Sequence, residues 1–103
     1  MTGNKAIVID TSKVEDIWCL CDKLGYNLIA ETTNLPQIYS TADVDEEHKT
    51  IHLRYTRKYV LPHGISMILT ALQFYGKIRI IKWEYDETYE TGYVYVEIKE
   101  AKE

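Results

Sequence analysis

Residues 50–76 read TIHLRYTRKYVLPHGISMILTALQFYG, and within them the apolar repeat changes from two residues to helical spacing. Over residues 50–56 the pattern alternates, with Ile51, Leu53 and Tyr55 on one side of an extended chain and His52 and Arg54 on the other. This is the signature of a half-buried strand. From about Gly64 to Tyr75 the spacing predicts a helix, with Ile65, Ile68, Leu69 and Leu72 in one stripe and Met67, Ala71 and Phe74 in a second. Gly76 supplies the stop.

Working outward, residues 5–10 (KAIVID) are short, apolar and β-branched, and read as a first strand. Ser12 lies three residues before Glu15, a capping-box pattern that predicts a helix start. Val14, Ile17, Cys21 and Leu24 share one face of that helix, Trp18 and Leu20 flank it, and Gly25 ends it. Residues 26–31 read as a strand, Asn34-Leu35-Pro36 breaks it, residues 37–42 form a weaker strand, and DVDEEHK (43–49) is the turn. On the other side, residues 77–85 and 93–99 read as two strands joined as a hairpin around DETYETG (86–92). The order β-α-β-β-β-α-β-β divides into two β-α-β-β halves, each a strand, a helix ended by glycine, and a hairpin. It predicts an α+β domain with two helices packed on one face of a mainly antiparallel five- or six-stranded sheet, ferredoxin-like or a related sandwich.

The 103 residues make one domain, long enough to bury a core without disulfide or metal staples. Cys19 and Cys21 sit two apart on a predicted helix, where side chains diverge, so no bond between them is expected. Free thiols and the lack of a recognisable signal or lipidation motif point to the cytoplasm. The longest stretch without Lys, Arg, Asp or Glu, residues 59–76, is broken by Pro62, His63 and Gly64 and is too short for a bilayer span. Abundant Ile and Tyr with few Gln and Asn resemble the composition of proteins from hot environments, small archaeal and viral proteins among them.

Charge is segregated along the chain. Residues 48–83 contain seven Lys or Arg and no acid, although the net charge is −4. If the helices cover Ile51, Leu53 and Tyr55, and likewise Ile78, Ile80, Val94, Val96 and Ile98, the opposite face carries His52, Arg54, Lys77, Arg79, Ile81, Trp83 and Tyr85 with Tyr93, Tyr95, Glu97 and Lys99. A face mixing bases with aromatics suits nucleic acid, because rings stack on bases and cations meet phosphates. The layout resembles sheet-face RNA binders of the RRM type, although KTIHLRYT lacks their Gly-aromatic pattern and KAIVID has no aromatic. Arg57, Lys58 and His63, at the entry to the second helix, add a second place for phosphate or carboxylate. The alternative is that the strand aromatics are cross-strand pairs that stabilise a hairpin or meet a second copy.

The second helix is apolar nearly all round, so two of its sides require burial. A homodimer through Met67, Ala71 and Phe74, or through Tyr93 and Tyr95, is expected. No cofactor or metal site is expected. His48 and His52 lack a third ligand, and DVDEEH has His48 and Arg54 where a calcium loop requires Gly and Glu. Asp10 at the end of the first strand, and Ser66 with His63, are the candidates for catalysis, but no third group is identifiable. The reading is therefore a non-enzymatic module for nucleic acid or another polyanion. An acidic protein partner is the alternative, and a small hydrolase or nuclease a third.

Overall fold

The computed structural model describes residues 6–86 and 91–99, with backbone alone at residues 85, 86 and 91. The elements are β1 (Ala6–Asp10), α1 (Val14–Lys23), β2 (Asn27–Thr32), β3 (Ser40–Asp45), β4 (Thr50–Tyr55), a 3-10 turn (Lys58–Val60), α2 (Leu61–Phe74), β5 (Ile78–Asp86) and β6 (Thr91–Ile98). The class is α+β with two helices, in the order that the periodicity predicts. Among the described residues, however, the strands form two three-stranded sheets, β1-β6-β5 and β2-β4-β3, and not one sheet of ferredoxin-like order. Alternation identifies which side of a strand is buried. It does not say which edges meet.

The first sheet is antiparallel throughout, whereas β2 runs parallel to β4 and β3 antiparallel to it. The expected hairpin between β2 and β3 is therefore replaced by an arch with β4 inserted between them. Residues 33–39, containing Pro36, are too long for a tight two-residue reversal. They pass instead over the end of β4, where Thr33 N–H donates to Tyr55 O (3.1 Å) and Thr56 N–H to Tyr39 O (3.0 Å). The Thr56 hydroxyl completes the closure, accepting from Tyr39 N–H at 2.9 Å. The third strand also runs further than expected, to Asp45, which shortens the turn before β4 and puts Lys49 at φ 52°.

The helices join the two sheets. α1 packs on β1 and β2, and α2 packs on β3, β4 and β5, so each touches both. The molecule measures 49 × 34 × 19 Å, and the short dimension accommodates one helical layer on one strand layer. A single core runs through it, including Ile17, Leu20, Cys21, Ile51, Leu53, Ile65, Leu69, Ile78 and Val96. Burying each large aliphatic side chain contributes about 1.5–3 kcal/mol. The inward assignment of Ile51, Leu53, Ile78, Val94 and Val96 agrees with the sequence, since all five are fully buried.

Both helices end alike. Gly25 and Gly76 take φ 85° and 75°, in the left-handed region that glycine enters without steric cost. The following residue closes the turn, Tyr26 N–H onto Cys21 O and Lys77 N–H onto Leu72 O, each at 2.9 Å. The starts differ from expectation. Ser12 does not cap α1: its hydroxyl donates to Asp10 Oδ1 (2.7 Å), and Asp10 N–H donates to Asp16 Oδ2 (2.8 Å) in the helix's first turn. α2 begins at Leu61, before Gly64, because Pro62 lies in the first turn, where proline is tolerated.

Candidate functional site

One irregularity rearranges the expected surface. β5 pairs with β6 as Ile80 with Val96, then Lys82 with Tyr95 and Trp83 with Val94, so Ile81 is an extra residue and the ladder shifts. A bulge of this kind inverts the alternation beyond it. Without the shift, Lys82 and Glu84 would follow Ile78 and Ile80 into the core. With it, they face outward beside Tyr95 and Tyr93, and Trp83 moves to the helix side of the sheet. Trp83 is thus a correction to the sequence reading: it does not share a face with Arg79. The side chain of Tyr85 lies outside the described residues.

On the helix side, half-exposed Trp83 meets the start of α2 in a pocket of about 280 Å³. Tyr59 from the 3-10 turn and Pro62, His63 and Ser66 from α2 complete its walls. Its floor is Thr11 and Gly92. Gly92 occupies the same inward register as Val94 and Val96, and with no side chain there the end of the hairpin stays open. Thr11 fixes that floor by donating from N–H (3.0 Å) and from Oγ1 (2.9 Å) to Gly92 O, and by accepting from Gly92 N–H (3.1 Å). Tyr59 is 55% exposed, so its ring is open to solvent at the pocket wall. Glu84 borders the pocket, but its carboxylate is held by Lys82 (3.2 Å) and the Tyr95 hydroxyl (3.0 Å), which together keep it below the usual carboxylate range.

The acid-free segment does not make an acid-free surface. Five of its seven bases meet carboxylates from the flanking sequence: Lys49 and Lys77 with Glu46 (2.8 and 3.9 Å), Arg54 with Glu31 (3.2 Å), Arg79 with Glu97 (2.8 Å), and Lys82 with Glu84. Arg54 and Arg79 also stand on different sheets, so they do not share the single face expected of them. His52 is half-buried on the outer side of β4, with Ile29 and Asp43 beside it in register. The two bases of the segment left without a carboxylate among the described residues are Arg57 and Lys58. Arg57 donates to the Thr56 carbonyl at 2.8 Å, and both immediately precede Tyr59 and α2.

The expected dimer residues also divide. Met67, Ala71 and Phe74 lie along the outer side of α2 and, with Thr70 and Tyr75, border an open apolar hollow of about 550 Å³. Phe74 is 83% exposed. Tyr93 and Tyr95 lie on the other side of the molecule, on the outer face of β6, where Lys82 Nζ sits 4.8 Å from the Tyr95 ring centre. They are not one patch.

Asp10 accepts from Ser12 N–H (2.9 Å) as well as its hydroxyl, which makes it part of the turn into α1. No group of three or more His, Cys, Asp and Glu suited to a metal ion occurs among the described residues. Cys21 is buried, which pushes its thiol up to about 12, and Cys19 is exposed. Among the described residues no helix is long and apolar enough to cross a membrane. Sequence reading missed Tyr59, Thr11 and Gly92. The consecutive isoleucines 80 and 81, followed by Lys82 and Glu84 at positions that strict alternation would bury, were the available sign of the bulge. Comparison with protein-family models, curated proteins and solved structures gives no match.

Proposed function

We propose that the chain is a small binding module that seats one base of a single-stranded nucleic acid, or a comparable ring of another polyanion, between Trp83 and Tyr59, and that it works as a homodimer in the cytoplasm. The observation that carries this reading is the meeting of two exposed aromatic rings in one pocket at the entry to α2, beside the bases that the fold leaves without carboxylates. A ring stacked on an aromatic side chain contributes about 1–3 kcal/mol whatever the base. At about 280 Å³ the pocket is at the small end of ligand sites and matches one ring system better than an extended ligand. Arg57 and Lys58 would meet adjacent phosphates. The free thiols of Cys19 and Cys21 fit a reducing compartment.

Titration of a short single-stranded DNA and a matched duplex at several salt concentrations tests the reading. Two phosphate contacts on a single strand imply a log–log salt slope of about −1.4. Trp83→Ala and Tyr59→Ala should each weaken binding about tenfold or more, while Arg54→Ala and Arg79→Ala, which remove paired bases on other surfaces, should change it little. A folded protein that binds neither DNA nor RNA at low salt would sink the proposal.

A further inference from the structure

We infer that the outer face of α2 docks against α2 of a second copy, antiparallel, in a register that sets Phe74 of each chain beside His63 of the other. This rests on the homodimer reading above and supplies its surface. α2 carries no Lys, Arg, Asp or Glu from Leu61 to Phe74, and none follows until Lys77, so a strongly charged partner finds no complement on this face, whereas an identical apolar helix does. The contact positions 63, 67, 70 and 74 are separated by four, three and four residues, a spacing that reads the same in both directions, as antiparallel self-packing requires. Sizes are complementary in that register. Met67 faces the small Thr70, Ser66 faces Ala71 where the helices cross, and the projecting Phe74 fits the end of the hollow bordered by His63 and Ser66.

A knob and a hollow on one face are what a two-fold axis can pair with themselves. The hollow shares His63 and Ser66 with the Trp83 pocket, so docking would bring the partner's aromatic ring to the rim of each base site and place the two sites on either side of the axis. α2 is only about 21 Å long, so one helix pair falls short of the roughly 800 Å² per partner of a standard interface, and dilution should separate the chains.

Light scattering across a concentration series tests the pairing, with thermal melts followed by circular dichroism as the folding control. Wild type should pass from one chain's mass to two as concentration rises. Phe74→Lys should stay at one chain with its melt unchanged, because Phe74 is 83% exposed and contributes little to the monomer. The double variant His63→Glu/Phe74→Lys should regain the doubled mass. The two positions are about 16 Å apart along one helix and cannot pair within a chain, so rescue reports contact between chains in this register. A single-chain mass for wild type at every concentration overturns both this inference and the homodimer reading. A doubled mass that survives Phe74→Lys overturns the inference and leaves the homodimer reading standing. Loss without rescue overturns the antiparallel register. Oligonucleotide binding by the wild type reports separately on the base pocket, which His63 helps to line.

Discussion

At Gly64 the helix carrying His63 and Ser66 approaches the strands beneath it closely, and Gly64→Ala measures that approach. An added Cβ would stand 2.6 Å from Leu53 Cδ1 and 3.4 Å from Ser40 Cβ. Carbon atoms in contact prefer about 3.5–4.0 Å, so the overlap with Leu53 is roughly 1 Å. Leu53 is fully buried and cannot swing aside without disturbing its neighbours. Overpacking of this kind costs about 1–3 kcal/mol, against a gain of about 0.8–1.0 kcal/mol for replacing Gly by Ala inside a helix. The roughly 1 Å overlap should place the cost in the upper part of that range, giving a net loss of up to about 2 kcal/mol and a melting temperature lower by up to roughly 15 °C for a domain of this size. Chemical and thermal denaturation read it directly. Leu53→Ala removes the obstructing methyl groups, so Gly64→Ala added to Leu53→Ala should be less harmful than the two separate losses imply, by about 1 kcal/mol or more. If Gly64→Ala instead stabilises by the helix-propensity amount, α2 does not lie so close to β4, and the pocket geometry at His63 would have to be redrawn.

Beneath the same contact the Ser40 hydroxyl is buried without a hydrogen-bond partner among the described residues, so Ser40→Ala should raise stability by up to about 1 kcal/mol in urea titration. With native protein a thiol reagent should label Cys19 and spare Cys21 until the chain unfolds, since burial holds the latter as the unreactive thiol. The Tyr26 hydroxyl donates to Glu46 Oε1 at 2.6 Å, and burial and then this bond raise the tyrosine pKa above its ordinary value of 10.0. A raised folded-state pKa favours the protonated form, so this contribution should be complete below about pH 10 and be lost as pH climbs higher, and Tyr26→Phe should flatten that alkaline limb. Glu46 behaves oppositely: Lys49, then Tyr26, lower its pKa from 4.5, so its contribution is present above that value and should fade on acidification, a limb that Glu46→Gln removes.

The elements and the buried sides of most strands were determined by the sequence alone, because periodicity is a local property: Ile51, Leu53 and Tyr55 alternate, the α2 stripe repeats at helical spacing, and Gly25 and Gly76 end the helices wherever those helices are packed. Strand partners were not, because pairing joins residues distant in the chain. Only the tertiary structure inserts β4 between β2 and β3, divides the strands into two sheets, and brings Glu31, Glu46, Glu84 and Glu97 to bases in a segment that contains no acid. The candidate site depends on a single extra residue. The bulge at Ile81 keeps Lys82 and Glu84 on the outer face, and in doing so it turns Trp83 toward Tyr59 and the entry to α2.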